Sequence, residues 1–444
     1  MASCVSEKWS RFAFARIALA DVVLNINCSR RTPQEYWEDL QHSTRNYRNI
    51  VLKFVEDDKG FLLKVLDKFQ DSLEYLSFEQ EPDLRLLHTE ISLEYFTELL
   101  HKLGNIKELK VETILEISGN NNNILLQQPT LQKLVTLCFY THCLEKSWIV
   151  RSSIAPNVKS IAVPLEDGQK EFPEIIRSYS GQLESLSIDA RFLERDQPCI
   201  CRETFPKLCK FRLLYPINNV ATSNIVRLFI QQLTNITELS LYNNSICEET
   251  LQGICKNCIA LKIVNLDANI VPQTTFAFLS KLPNLQQLIL HKMTIEPAMI
   301  IIAGCFPVLR QLTCLSVRVE VPDAFFEQLQ NKMPKLVILE LLDRFRFGVA
   351  NFDQTDIVPS IFKHLCGLQR LTLVDWVLYI SKNFILSSDF VYTLQAIVDL
   401  SILQQLHLLK NLTDLRLKFV GMHINCKIPV CANLKRLFLD VDSV

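Results

Sequence analysis

A chain of 444 residues, 48% apolar and 21% charged, has enough apolar material for a continuous core and enough charge for a solvated surface. Its 47 basic and 48 acidic residues leave a net charge of -1, so no global field draws it to nucleic acid or an anionic membrane. Fifteen cysteines, an odd number without paired spacings in a chain this long, exclude a small disulfide scaffold.

The chain opens on an amphipathic stretch at residues 4–14, followed by an apolar strand at residues 21–26. Glu7, Lys8, Arg11 and Arg16 interrupt the first twenty residues, which therefore lack the apolar run of a secretory leader. The longest apolar runs, such as residues 298–303, are far too short to span a bilayer. Cysteines such as Cys138, Cys209, Cys255 and Cys314 lie in apolar segments, where a free thiol behaves as a small hydrophobe. A reducing intracellular compartment, cytoplasmic or nuclear, is the expectation. Asn235-Ile-Thr237 and Asn411-Leu-Thr413 are then chance glycosylation sequons.

From residue 47 a pattern recurs in which one apolar anchor is followed by a second three positions later and a third two after that. Leu183-Glu-Ser-Leu186-Ser-Ile188 and Leu285-Gln-Gln-Leu288-Ile-Leu290 are clear copies. First anchors fall at Tyr47, Leu73, Ile106, Leu134, Val158, Leu183, Leu208, Ile236, Leu261, Leu285, Leu312, Leu336, Leu368, Leu412 and Leu434. Leu131 and Leu309 compete with Leu134 and Leu312 for the opening position. The mean spacing, about 28 residues, lies within the range of leucine-rich repeats, whose strand segment has this form.

Between strands the apolar period becomes helical, as in residues 246–258, where Ile246, Leu251, Ile254, Cys255 and Cys258 share one face. Pro272, Pro297 and Pro322 stand just ahead of such stretches, where proline suits a first helical turn. Pro156, Pro206, Pro283 and Pro334 each precede a first anchor by two residues. Each unit reads strand, loop, helix, turn. The predicted fold is an α/β leucine-rich repeat solenoid, a horseshoe with a parallel sheet on its concave face and helices on its convex face. Residues 1–26 would form an N-terminal cap, and residues 27–444 about 14–15 repeats.

Late in the chain two anchor spacings are long: 32 residues from Leu336 to Leu368, and 44 from Leu368 to Leu412. The second predicts an extra helix at residues 388–408 (Phe390, Leu394, Ile397, Val398, Leu403) or one degenerate repeat. Asn120 to Asn123 marks a loop within another long unit.

No phosphate-binding G-x-x-x-x-G-K-[ST] loop occurs, and ten glycines leave little material for one. Cys255-x-x-Cys258 lacks a second pair to complete four ligands and lies on the apolar helical stripe, so it reads as core rather than metal. Cys199-x-Cys201 lies in a polar connector and also reads as bland. No catalytic constellation emerges, and neither a cofactor nor a metal is expected.

Alternation along each strand sends the third, fifth and seventh motif positions to the inner face. The central repeats would display Lys210, Arg212, Glu238, Asn265, Gln287 and a row of seventh positions: Tyr242, Asp267, His291 and Arg318. Mixed aromatic and charged character of this kind suits an interface, which makes these four the candidate partner-binding residues. A solvated sheet face is the plain alternative. Phe345, Phe347, Trp376 and Tyr379 form a second candidate patch.

The opening stretch Cys4-Val-Ser-Glu-Lys-Trp9-Ser-Arg-Phe12 resembles the tail of an F-box, the helix that joins this motif to leucine-rich repeats. Val5, Trp9 and Phe12 would cover the first strand. The resemblance implies an F-box/leucine-rich-repeat protein, the substrate-binding subunit of a Skp-cullin-F-box ubiquitin ligase. The Leu-Pro segment and helix that bind the Skp adaptor are missing, so adaptor binding would require a complete F-box upstream of Met1. The competing reading is a leucine-rich repeat scaffold or inhibitor-like protein with no ligase link. Both expect a protein partner on the concave face, no enzyme activity, no nucleic acid and no membrane.

Overall fold

The computed structural model describes residues 22–27, 32–53, 59–79, 89–111, 115–118, 130–139, 154–163, 172–189, 193, 203–214, 220–242, 248–267, 278–279, 281–291, 314–317, 334–342, 367–374, 411–420 and 433–442. The chain forms two units, Met1–Tyr215 and Pro216–Val444.

In the first unit, eight strands stack in parallel and in sequence order: β1 (Val23–Asn27), β2 (Asn49–Lys53), β3 (Tyr75–Glu79), β5 (Glu108–Val111), β7 (Thr136–Phe139), β8 (Ser160–Val163), β9 (Ser185–Ile188) and β10 (Lys210–Leu213). β4 (Thr89–Ser92) and β6 (Leu115–Ser118) pair with each other in a separate two-stranded parallel sheet. In the second unit, β11 (Glu238–Tyr242), β12 (Ile263–Asp267), β13 (Gln287–His291), β14 (Cys314–Val317), β15 (Ile338–Leu342), β16 (Arg370–Val374), β17 (Asp414–Val420) and β18 (Arg436–Asp442) form a second parallel series.

Every strand from the repeat ladder starts two residues after its first anchor. A hydrogen-bonding scheme shared by most junctions explains this regularity. The residues one and two after the anchor both donate their N–H groups to a single carbonyl of the preceding repeat. Glu74 and Tyr75 donate to Arg48 at 2.8 and 3.0 Å, Lys107 and Glu108 to Glu74, Glu184 and Ser185 to Lys159, and Lys435 and Arg436 to Thr413. Just before the strand, the N–H of many anchors closes a turn onto the carbonyl three residues earlier, as in Leu208 to Phe205 and Leu285 to Leu282, whereas Leu73 and Leu183 reach back four, to Phe69 and Tyr179. Pro206 and Pro283 occupy the second position of these turns, where a fixed φ near −65° is already correct.

The core follows the ladder. Described second anchors such as Ile50, Leu76, Leu137, Leu186, Leu239 and Leu288 are buried, with the third anchors Ile188, Leu213, Leu241 and Leu266 beside them. A fourth core position opens many of these turns: Leu103, Leu131, Ala155, Phe205, Leu233, Cys258 and Leu282 are buried there. This resolves the register. β7 and β14 begin at Thr136 and Cys314, so Leu134 and Leu312 are the first anchors, and buried Leu131 fills the fourth position.

Six helices are described. Thr32 caps α1 (Pro33–Gln41) through a reciprocal box: Glu35 N–H donates to Thr32 Oγ1 at 3.3 Å, and Thr32 N–H donates to Glu35 Oε2 at 2.7 Å. α2 (Lys59–Phe69) buries Phe61, Leu62, Val65, Leu66 and Phe69, and the Phe69 ring meets Tyr47 edge-on at 5.6 Å. α3 (Leu93–His101) ends on buried Leu99 and Leu100. α4 (Phe172–Tyr179) buries Ile175, Ile176 and Tyr179, whose hydroxyl donates to the Ala155 carbonyl at 3.0 Å. α5 (Val220–Ile230) and α6 (Glu248–Asn257) pack closely at Gly253, where a Cβ would lie 2.8 Å from Gln231 Nε2 and 3.3 Å from Arg227 Cγ. α6 is the helix expected over residues 246–258, with Leu251, Ile254, Cys255 and Cys258 buried as that pattern requires; Ile246 lies outside the described residues.

Neither long spacing inserts a rung. β15 pairs directly with β16, Ile338 opposite Arg370, and β16 directly with β17, Arg370 opposite Asp414. Among the described strands, none stands between β16 and β17 in the sheet. Residues 388–408, Asn120 to Asn123, Pro272, Pro297 and Pro322 lie outside the described residues, as do Val5, Trp9 and Phe12. The strand expected at residues 21–26 is β1, which continues the first sheet one rung before the ladder.

Candidate functional site

The anchors fill one side of each sheet, so the third, fifth and seventh motif positions make up the other face. In the first unit this face changes character along the stack. At the fifth position Val51, Ser77 and Cys138 are buried, Lys110, Ala162 and Ser187 are half-buried, and Arg212 is exposed beside exposed Lys210. Asp189, at the seventh position after β9, is fully buried.

In the second unit Glu238 and Gln287 are half-exposed, in line with their expected display. Asn265 is not on display. Only 9% of it is exposed, and its Oδ1 has no hydrogen-bond partner. It occupies the middle position of a central strand, between Ser240 of β11 and Ile289 of β13 in register, and shows how far a mid-strand residue sinks into a closely spaced parallel sheet. The expectation of a solvated Asn265 is thus overturned.

Three of the four candidate residues are brought together. Tyr242 is the register partner of Asp267, and Asp267 of His291, so their backbones form one row across β11, β12 and β13. At the usual strand separation of about 4.8 Å the row spans roughly 10 Å. The side chains of these three residues are outside the described set, as is the whole of Arg318, which follows β14. Phe345, Phe347, Trp376 and Tyr379 are also outside it.

In the first unit, charged residues directly after several first anchors pair beside the sheet. Glu74 lies between Arg48 at 3.8 Å and Lys107 at 2.9 Å, and Lys159 pairs with Glu184 at 2.9 Å. The Lys107 hydrogen bond holds the Glu74 carboxyl below the ordinary carboxylate range. Near the end of the chain the Thr413 hydroxyl, hydrogen-bonded at 2.7 Å, and Arg436 together lower the pKa of Asp414. A polar residue just before several anchors holds the preceding repeat. Gln182 Nε2 donates to the Pro156 and Val158 carbonyls at 2.8 and 2.9 Å, and Asn157 Nδ2 to Gln132 at 2.8 Å. Sequence reasoning missed this set. Its signal was an Asn, Gln or Ser preceding the anchor, as at Ser72, Asn105, Asn157, Gln182 and Asn284.

Cys255 and Cys258 are buried and reduced. Burial pushes both thiols up to about 12. The Cys258 thiol donates to the Ile230 and Leu233 carbonyls of the preceding repeat, 3.7 Å to each. Buried among apolar side chains, the two thiols pack as part of the core, as the helical stripe predicted. Cys199 and Cys201 lie outside the described residues. Among the described residues no three His, Cys, Asp or Glu side chains are grouped to hold a metal, and no helix is long and apolar enough to cross a membrane.

Strands in register, anchors buried at fixed offsets and helices between them define the class: this is an α/β leucine-rich repeat solenoid. No protein-family model and no curated protein matches the chain. Solved structures similar to it include an internalin from Listeria monocytogenes, at 13% identity over 91% of this chain and 93% of that one, with a TM-score of 0.31. Another is the Toll–Spatzle complex of Drosophila, at 13% identity over 89% of this chain and 47% of that one, with a TM-score of 0.33. CroV588, a circular leucine-rich repeat protein, is 12% identical over 89% of this chain and 60% of that one, with a TM-score of 0.24. The chain thus spans about half the length of the Toll complex chain it matches. The class assignment rests on this chain's own strand register.

Proposed function

We propose that the chain is a non-enzymatic recognition solenoid that holds a protein partner against the sheet face of its second unit, with Tyr242, Asp267, His291 and Arg318 as contact residues. The observation that carries this reading is the register of Tyr242, Asp267 and His291 on three adjacent strands. A row carried on paired strands keeps its backbone spacing, so binding need not order the backbone, which favours affinity. Central aromatic and charged residues commonly supply most of an interface's energy.

The test is proximity labelling and co-purification from cells with the wild-type chain and with the Tyr242, Asp267, His291 and Arg318 quadruple alanine variant, using circular dichroism as the folding control. The folded variant loses the partners enriched by wild type. Retention of all of them makes the row a solvated sheet face and overturns the reading.

The finer role, substrate receptor of a Skp-cullin-F-box ligase in the cytoplasm or nucleus, is supported only by the F-box-like residues Val5, Trp9 and Phe12. Its competitor is a scaffold or inhibitor-like protein. Co-purification of Skp and cullin with the natural protein separates the two, and their consistent absence leaves the scaffold.

A further inference from the structure

We draw no further inference here: the strongest candidate, the buried Asn265 amide at the centre of the β11–β12–β13 face with its unpartnered Oδ1, is itself sealed from solvent, and nothing in the structure shows what group of a partner would reach it or what covers that face.

Discussion

Leu186→Ala tests the stacked-strand core where its geometry is fully described. Leu186 is 0% exposed, and its register partners on either side, Ile161 of β8 and Phe211 of β10, are each 1% exposed. The substitution removes three carbons, worth roughly 2.4 kcal/mol at ~0.8 kcal/mol per buried methylene. Both flanking side chains are carried by hydrogen-bonded strands and cannot move far into the gap. A residual cavity on the order of 60–80 Å³ would add about 1.5–2 kcal/mol at ~24 cal/mol per Å³. The expected cost is about 4 kcal/mol. Arg212→Ala, exposed one position beyond Phe211 on β10, is the control and should stay within about 0.5 kcal/mol. Because a repeat array need not unfold as one unit, the assay is native-state hydrogen exchange resolved to β8, β9 and β10, with urea denaturation beside it. A loss of protection below about 1.5 kcal/mol, or one no larger than that of Arg212→Ala, refutes a close-packed column of anchors.

Other consequences are as direct. Asn265→Leu removes a buried acceptor that has no donor, so the melting temperature should rise, by the equivalent of about 1 kcal/mol; an unchanged or lower value contradicts the burial of that amide. Gln182→Ala strips hydrogen bonds from the Pro156 and Val158 carbonyls and should cost about 1–2 kcal/mol in urea denaturation; a neutral result would make the contact incidental. In the folded protein at pH 8, iodoacetamide should alkylate half-exposed Cys209 well before Cys255 or Cys258, as read by peptide mass spectrometry. Those two thiols titrate near 12 when folded against an ordinary 9, so their contribution to stability is complete below pH 9 and declines as pH rises from 9 toward 12; a double Cys→Ala variant should lose part of that alkaline sensitivity.

Strand positions were legible because the anchors combine a period of two with a recurring unit, and burial enforces both. Leu183, Leu186 and Ile188 can point inward only if Ser185 and Ser187 do not. The ambiguity at Leu131 had a physical source. Leucines at 131, 134 and 137 are all buried, two in the strand motif and one at the turn before it, so spacing alone could not say where the motif opened. The contacts of Gln182 and Asn157 were hidden because their acceptors lie some 25 residues away, in carbonyls that every residue carries. The β4–β6 sheet had a signal that went unused: Thr89-Glu-Ile-Ser92 and Leu115-Glu-Ile-Ser118 share three residues and pair in register. Of the candidate site, the shared level of Tyr242, Asp267 and His291 follows from motif arithmetic. The sinking of Asn265 does not, because it depends on neighbouring strands.

The doubly accepting carbonyl at the junctions, together with direct pairing across the longest intervals, has an evolutionary consequence. Each rung is positioned by the backbone of the rung before it, so the chain between two rungs is under little metric constraint. It can be 24 residues, as between Leu261 and Leu285, or 44, as between Leu368 and Leu412, while β16 and β17 still meet residue for residue. Lengthening a connection then costs chiefly a loop-closure entropy that grows only logarithmically with length, about 0.6 kcal/mol per doubling. A lineage could therefore vary its connections, and whatever they contact, without re-evolving the sheet that carries them.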